Sequence, residues 1–200
     1  MIPDAIKRFV AVFEKLPSIG PRQATRLAFR LIASGKATID DVERAVQGLL
    51  LVKICSQCFF IHSQEGALCP ICADTSRDAC TFMVVEKETD LITIERTGKY
   101  KGRYIIIGEL TKSGVLESVQ KLRLGLLKKI IESRCPDKKA KEIILALNPT
   151  TYGDLNTMLI QKELKEHTQK ISRLGRGIPT GGEIEFADEE TLSHSLQRRE

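Results

Sequence analysis

The sequence predicts a multidomain α/β protein. It reads as an N-terminal helical hairpin region, a four-cysteine knuckle, a mostly parallel sheet with flanking helices, and a C-terminal glycine-rich segment with a helix. Three observations carry this. Two Cys-x-x-Cys pairs, Cys55/Cys58 and Cys69/Cys72, stand ten residues apart. Ahead of them, apolar residues recur at helical spacing on both sides of a turn rich in proline and glycine. Beyond them, from Phe82, short apolar strands alternate with helical stretches, a βα succession that implies a parallel sheet. The boundaries fall at 1–53, 54–80, 81–168 and 169–200.

In the first region, Ile6, Phe9, Val10 and Phe13 give residues 3–15 a helical stripe. Leu16-Pro-Ser-Ile-Gly20-Pro21 then forms a turn. A second helix presents Ala24, Leu27, Ala28 and Leu31 on one face and stops at Gly35. Thr38, with Asp41 three residues on, predicts the cap of a third helix whose Ile39, Val42, Val46, Leu49 and Leu50 point inward. Helix, Leu-Pro-x-Ile-Gly-Pro turn and helix together resemble the helix-hairpin-helix DNA-binding motif, with Ser18 where that motif usually has glycine. A tight hairpin of this kind aims backbone N–H groups and the positive end of the second helix at a phosphate. Arg22 and Arg26, one turn apart, neutralise neighbouring phosphates in that reading. The alternative is a helical hairpin that only packs or dimerises.

Each Cys-x-x-Cys pair can grip one metal ion, and the ten-residue spacer lets the second pair complete a tetrahedron of thiolates. Pro70 fixes φ inside the second knuckle and Gly66 loosens the loop between pairs. Cys55, Cys58, Cys69 and Cys72 are therefore expected to hold one structural zinc, with His62 left as a loop residue. With every ligand supplied by protein, no position remains for a catalytic water. Of the remaining cysteines, Cys80 opens a β-like run and reads as core. Cys135, before Pro136 at a helix end, reads as an ordinary exposed thiol.

The 200-residue chain is 42% hydrophobic, enough for real cores, and contains no apolar run of transmembrane length. Met1-Ile-Pro-Asp-Ala lacks the charged and apolar halves of a signal peptide, which predicts a cytoplasmic protein. The net charge of +5 is too mild to establish nucleic-acid binding by itself. Its distribution says more: residues 1–53 carry nine Lys/Arg against five Asp/Glu. The stretch Arg96-Thr-Gly-Lys-Tyr-Lys-Gly-Arg-Tyr104 interleaves basic residues with tyrosines. It suits either contact with phosphates and bases or a solvated turn before a strand.

The predicted strands of the third region are Phe82–Val85, Tyr104–Ile107 and Ile143–Leu147. The predicted helices are Thr89–Arg96, Leu122–Ser133, despite Gly125, and Asp154–His167. Function in such sheets gathers beyond the carboxyl ends of the strands. Glu86 ends the first strand there, and Asn148-Pro-Thr-Thr-Tyr-Gly-Asp154 follows the third. This resembles the Toprim fold of topoisomerases and primases, in which a glutamate and an Asp-x-Asp pair bind magnesium. Here Asn148 stands after the third strand and no Asp-x-Asp is present, leaving only Glu86 and Asp154 as candidate ligands. Ser193-His194-Ser195 fits a terminal helix better than a hydrolase site.

The order of these parts resembles the RecR family of bacterial recombination mediators over essentially the whole chain. The most specific stretch is Gly177-Ile-Pro-Thr-Gly181-Gly-Glu-Ile-Glu-Phe-Ala-Asp188-Glu-Glu-Thr-Leu192, and Cys55–Cys72, Thr97–Tyr104 and Asn148-Pro-Thr match as well. The resemblance implies a non-enzymatic DNA-repair factor. Such a factor assembles into a homo-oligomeric ring, binds single- and double-stranded DNA without reading sequence, and works with RecO-like and RecF-like proteins to load recombinase on single-stranded DNA. It assigns DNA contact to Arg22 and Arg26, and zinc to the four cysteines. The sheet's carboxyl edge, with Glu86, Tyr152 and Asp154, is expected to meet partners. Two departures lie on that edge. Glu109-Leu-Thr-Lys-Ser-Gly-Val-Leu-Glu-Ser lacks the usual Gly-Ile-Gly-Pro loop, and Tyr152 and Asp154 stand where relatives commonly have glutamates. Ile184-Glu-Phe-Ala-Asp188 looks faintly like a Walker B element, but no Gly-x-x-x-x-Gly-Lys-Ser/Thr loop accompanies it. Two other classes stay open: a magnesium-dependent Toprim phosphoryl-transfer enzyme, and a zinc-stabilised interaction scaffold.

Overall fold

The computed structural model of the protein describes residues 2–112, 114–197 and 199. It divides into two units, residues 1–52 and 53–200. The first is helical: α1 (Asp4–Phe13), α2 (Pro21–Ser34) and α3 (Lys36–Gly48), followed by a 3-10 turn over Leu49–Leu51. Pro21 at the first position of α2 needs no amide partner, and the Gln23 side chain accepts a hydrogen bond from the Gly20 amide at 3.3 Å. Between α1 and α2, Ser18 takes the left-handed conformation (φ 64°). That is the conformation glycine adopts most easily, and Ser18 takes it here in glycine's stead.

Two expectations for α3 are corrected. Thr38 is not its cap: the helix starts at Lys36, directly after Gly35 reverses the chain at φ 87°, and the Thr38 hydroxyl instead donates to the Ser34 carbonyl. Nor are its apolar residues inward. Ile39, Val42 and Val46 are exposed, as are Leu49 (68%) and Leu50 (85%). The stripe has the period of a buried face, yet within the described residues of the helical unit it lies open.

The second unit opens with a small antiparallel ribbon, β1 (Lys53–Ile54) and β2 (Ile61–His62), and a single turn, α4 (Pro70–Ala73). His62, expected in a loop, is a buried strand residue opposite Lys53. Then come β3 (Thr81–Val85), α5 (Glu88–Glu95), β4 (Arg103–Ile106), α6 (Ser118–Arg134), β5 (Glu142–Ala146), α7 (Thr151–Leu164), β6 (Ile171–Arg173) and α8 (Glu189–Gln197). The sheet is parallel throughout, in the order β4-β3-β5-β6.

Side chains alternate between its faces. Phe82, Val84, Ile105, Ile143 and Leu145 pack against Leu124, Leu127 and Ile131 of α6 and Ile160 and Leu164 of α7. Met83, Val85, Tyr104 and Ile106 turn the other way, towards Leu91 of α5 and the knuckle's Phe60 and Ile71. Strands covered on both faces explain why these segments read as unbroken apolar runs. Gly125 sits inside α6 with open space beside it, so it does not interrupt the helix. The sheet extends past residue 168, because β6 joins its edge.

Candidate metal centre and nucleic-acid interface

The knuckle is built by short-range hydrogen bonds. The Cys55 amide donates to the Phe60 carbonyl (2.8 Å) and the Phe59 amide returns to the Cys55 carbonyl (3.0 Å). Phe59 is left-handed at φ 66°, which folds the first pair back on itself. In the second pair, Cys69 is extended and precedes Pro70 at the first position of α4, so the turn carries Cys72 back beside it. The result is four buried sulfurs lying within 4.8 Å of one another. Cys58 and Cys69 approach to 3.5 Å.

The contact with Cys58, then that with Cys72, pulls the Cys69 thiol well down, while the contacts with Cys69 and Cys72, then burial, push Cys58 far up. Sulfurs this close cannot all ionise without a cation between them. An all-cysteine, buried, closely spaced set fits a metal ion. Among the described residues, no other group of three or more cysteine, histidine or acidic side chains is arranged to do so.

What docks the knuckle is a residue of the sheet. Arg103, the buried first residue of β4, donates to the carbonyls of Ile71 (3.0 Å), Cys72 (2.7 Å) and Asp74 (2.8 Å). It thereby ties the second Cys-x-x-Cys turn to the sheet. The Ile106 amide donates to the Cys58 carbonyl at 3.0 Å, so the first turn covers the open edge of β4. Tyr100 and Tyr104 also turn inward. Burial pushes the Tyr100 hydroxyl's pKa up, and it donates to the carbonyls of Thr81 and Arg103. The structure thus corrects the base-stacking reading of Arg96–Tyr104: both rings and Arg103 belong to the core, and only Arg96, Lys99 and Lys101 face solvent as cations. A basic residue opening an apolar strand was the available signal for Arg103.

In the helical unit, Arg22, Arg26 and Arg30 are exposed along α2, and Lys15 is exposed before the hairpin. The buried residues of α2, Ala24 and Ala28, leave this basic stripe on the outer side of the helix. Its first turn, Pro21–Gln23, is open to solvent beside Gly20.

At the carboxyl edge of the sheet, Glu86 accepts from the Leu110 amide and from Asn148 Nδ2, both at 3.2 Å. The Asn148 that replaces an acidic ligand is thus the partner of the remaining glutamate. Asp154 is engaged elsewhere: Arg173 and Arg176 both donate to it and hold its carboxyl below the usual range, and Arg176 also pairs with Glu190 of α8. Tyr152 is exposed, with the Lys112 ammonium 6.0 Å from its ring. Gly153 is required between them, since a Cβ there would lie 1.9 Å from the Asn148 carbonyl oxygen. A hollow of about 310 Å³ opens beside Asn148, Arg173 and Arg176.

The tail forms no Walker B strand. Ile184–Phe186 is a 3-10 turn with Ile184 and Phe186 exposed, whereas a Walker B acid ends a buried strand. His194 pairs with Glu190, and Ser195 bonds Thr191 and Ile178, so both serve the packing of α8.

Residues 81–175 match the Toprim domain family, and residues 177–200 match the family described as RecR, C-terminal. The Recombination protein RecR of Bifidobacterium adolescentis is 36% identical over 199 residues, covering 98% of this chain and 95% of the relative. That of Gloeobacter violaceus is 34% identical over 200 residues (100% and 98%), and that of Chloroflexus aggregans 37% over 204 residues (100% and 95%).

Proposed function

Because this chain belongs to the RecR family, we propose that it is a non-enzymatic, DNA-binding mediator of recombinational repair. The observation that carries the reading is similarity that runs the full length of relatives named recombination proteins. In this reading α2 lies along the DNA backbone, Arg22 and Arg26 neutralise adjacent phosphates, and Arg30 and Lys15 flank them. Backbone contacts carry no base information, so binding to single- and double-stranded DNA is independent of sequence.

One chain offers few phosphate contacts. A homo-oligomeric ring multiplies them, and the uncovered α3 stripe of Ile39, Val42, Val46, Leu49 and Leu50 supports such an assembly. The four-cysteine cluster holds zinc, whose tetrahedral preference suits four thiolates; when bound, the ion neutralises their charge and fixes the knuckle. RecO-like and RecF-like proteins dock at the carboxyl edge around Glu86, Tyr152 and Asp154, and recombinase loading follows from that exchange. The setting is the cytoplasmic nucleoid.

Phosphoryl transfer is the less supported reading. Glu86 is bonded to Asn148 and Leu110, and Asp154 is occupied by two arginines, an arrangement poorly suited to gripping magnesium. The test is a salt titration of DNA affinity for wild type and for Arg22→Glu with Arg26→Glu. On duplex DNA each neutralised phosphate contributes about −0.9 to the slope of log affinity against log salt. The double variant is expected to lose binding while keeping its zinc and its folded mass. Equal affinities and slopes would place the DNA surface elsewhere. Incubation of DNA with magnesium and protein is expected to leave it uncut, and a cleavage abolished by Glu86→Gln would revive the enzyme.

A further inference from the structure

Six cysteines are present and four belong to the metal cluster. The other two, Cys80 and Cys135, are 55 residues apart in sequence, yet the fold brings them together as a disulfide with a Cα–Cα separation of 5.5 Å. Both are buried, Cys80 at 5% and Cys135 at 7% exposure, within the larger core. Cys135 is therefore not the exposed thiol its place before Pro136 suggested.

We propose that Cys80 and Cys135 are a reversible oxidation site, a disulfide clasp that locks the end of α6 to the entry of β3 under oxidising conditions and opens under reducing ones. The separation lies in the middle of the range that a disulfide bridges without backbone movement. The clasp sits at a junction. Cys80 is the residue before β3, and its amide is held by Asp78 at 2.9 Å. Cys135 follows α6, and its neighbour Arg134 donates to Gln57, between the two cysteines of the first knuckle turn, at 3.2 Å. One covalent bond thus fixes helix end, strand entry and the approach to the knuckle together.

An oxidant reaches the buried pair only when the next turn opens. Asp137 and Lys138 are both left-handed (φ 53° and 56°), a conformation costly for side chains with a Cβ, which makes this helix end a natural point of local opening. Disulfides within reducing compartments are typically transient or sensing, and this pair has the geometry for that role.

The oxidant is a peroxide. One cysteine, as thiolate, attacks a peroxide oxygen and becomes a sulfenic acid as the O–O bond breaks, releasing one water once protonated. The second sulfur then displaces the hydroxyl, forming the S–S bond and a second water. Two thiols lose two electrons and two protons, and one hydrogen peroxide becomes two waters. A small dithiol reverses the step by exchange.

The experiment compares full-length, metal-loaded protein treated with hydrogen peroxide or with a dithiol. After denaturation with chelator, the oxidised sample is expected to show four free thiols and the reduced sample six, from the count of six cysteines with four outside the disulfide. Peptide mapping is expected to join Cys80 to Cys135. The oxidised form should melt higher by roughly 5 °C or more, given the long loop that the bond closes. Cys80→Ala and, independently, Cys135→Ala should erase both differences. Six thiols persisting after peroxide, oxidation confined to the cluster cysteines, or identical melting of the two wild-type states would each overturn the proposal. The wild-type comparison needs no variant to fold.

Discussion

The helical unit and the α/β unit handle hydrophobic residues in opposite ways. In residues 53–200 strands β3, β4 and β5 are largely apolar and buried, and Leu127, Ile131, Ile143, Ile160 and Leu164 are fully enclosed. Among the described residues of 1–52, only Ile6, Ala24 and Ala28 are buried, while Phe29, Ile32, Val46 and Leu50 stand open. Units of about fifty residues bury proportionally little surface and are marginal on their own. The same apolar period therefore has two meanings. In the sheet domain it marks a finished core. In the helical unit it marks an exposed face, which the proposed ring would cover.

The harshest test of this contrast is removal of the metal. The knuckle's core is the cluster with Phe60, Leu68 and Ile71 around it, so metal binding and its folding are expected to be one event, on the order of 10 kcal/mol for structural zinc. Purified protein is expected to carry about one zinc per chain. Cys58→Ser should lose it and unfold the region around residues 54–80, read by elemental analysis and by hydrogen exchange. Normal exchange protection there without metal would remove the structural role.

Next, the same residue type should behave differently in the two units. Leu127→Ala is expected to cost about 2–5 kcal/mol in urea unfolding and leave the assembled mass unchanged. Leu50→Asp should change stability of the isolated chain by only about 0.5 kcal/mol, as surface substitutions do, yet lower the mass seen by light scattering. An unaltered mass would break the comparison by making the α3 face an idle surface.

A smaller effect sits where the tail meets the sheet domain. The Asp154 carboxyl is lowered by Arg173 and Arg176. Its contribution is fully present above its unfolded value of about 3.9 and is lost as pH falls through the lower folded value. Partial exposure screens the pairs, so Asp154→Asn is expected to cost about 1 kcal/mol near neutrality. The gap from wild type should close as pH falls below about 4, as followed by urea midpoints. A gap that persists in acid would assign the effect to packing rather than charge. The mildest change is Gly125→Ala in α6, where open space surrounds the added methyl; it should raise stability by about 0.5 kcal/mol in the same assay.

What the sequence determined by itself was whatever depends on neighbours a few residues apart. The two Cys-x-x-Cys turns, the Leu16–Pro21 hairpin and the arginines one turn apart on α2 are local patterns, and local geometry is enough to place them. Strands β3, β4 and β5 were readable because burial on both faces leaves a continuous apolar run. Three-residue β6 was not, since an edge strand containing Ser172 and Arg173 carries little apolar signal. Only the tertiary structure decided which distant groups meet. Arg103 reaches the carbonyls of the knuckle, Arg173 and Arg176 converge on Asp154, and Cys80 finds Cys135 across 55 residues. Each of those pairings follows from strand order and helix crossover, and composition and spacing do not encode which chain segments a parallel sheet will lay side by side. The uncovered face of α3 belongs to the same class: its period is written in the sequence, but whether anything packs on it is a property of the folded and assembled molecule.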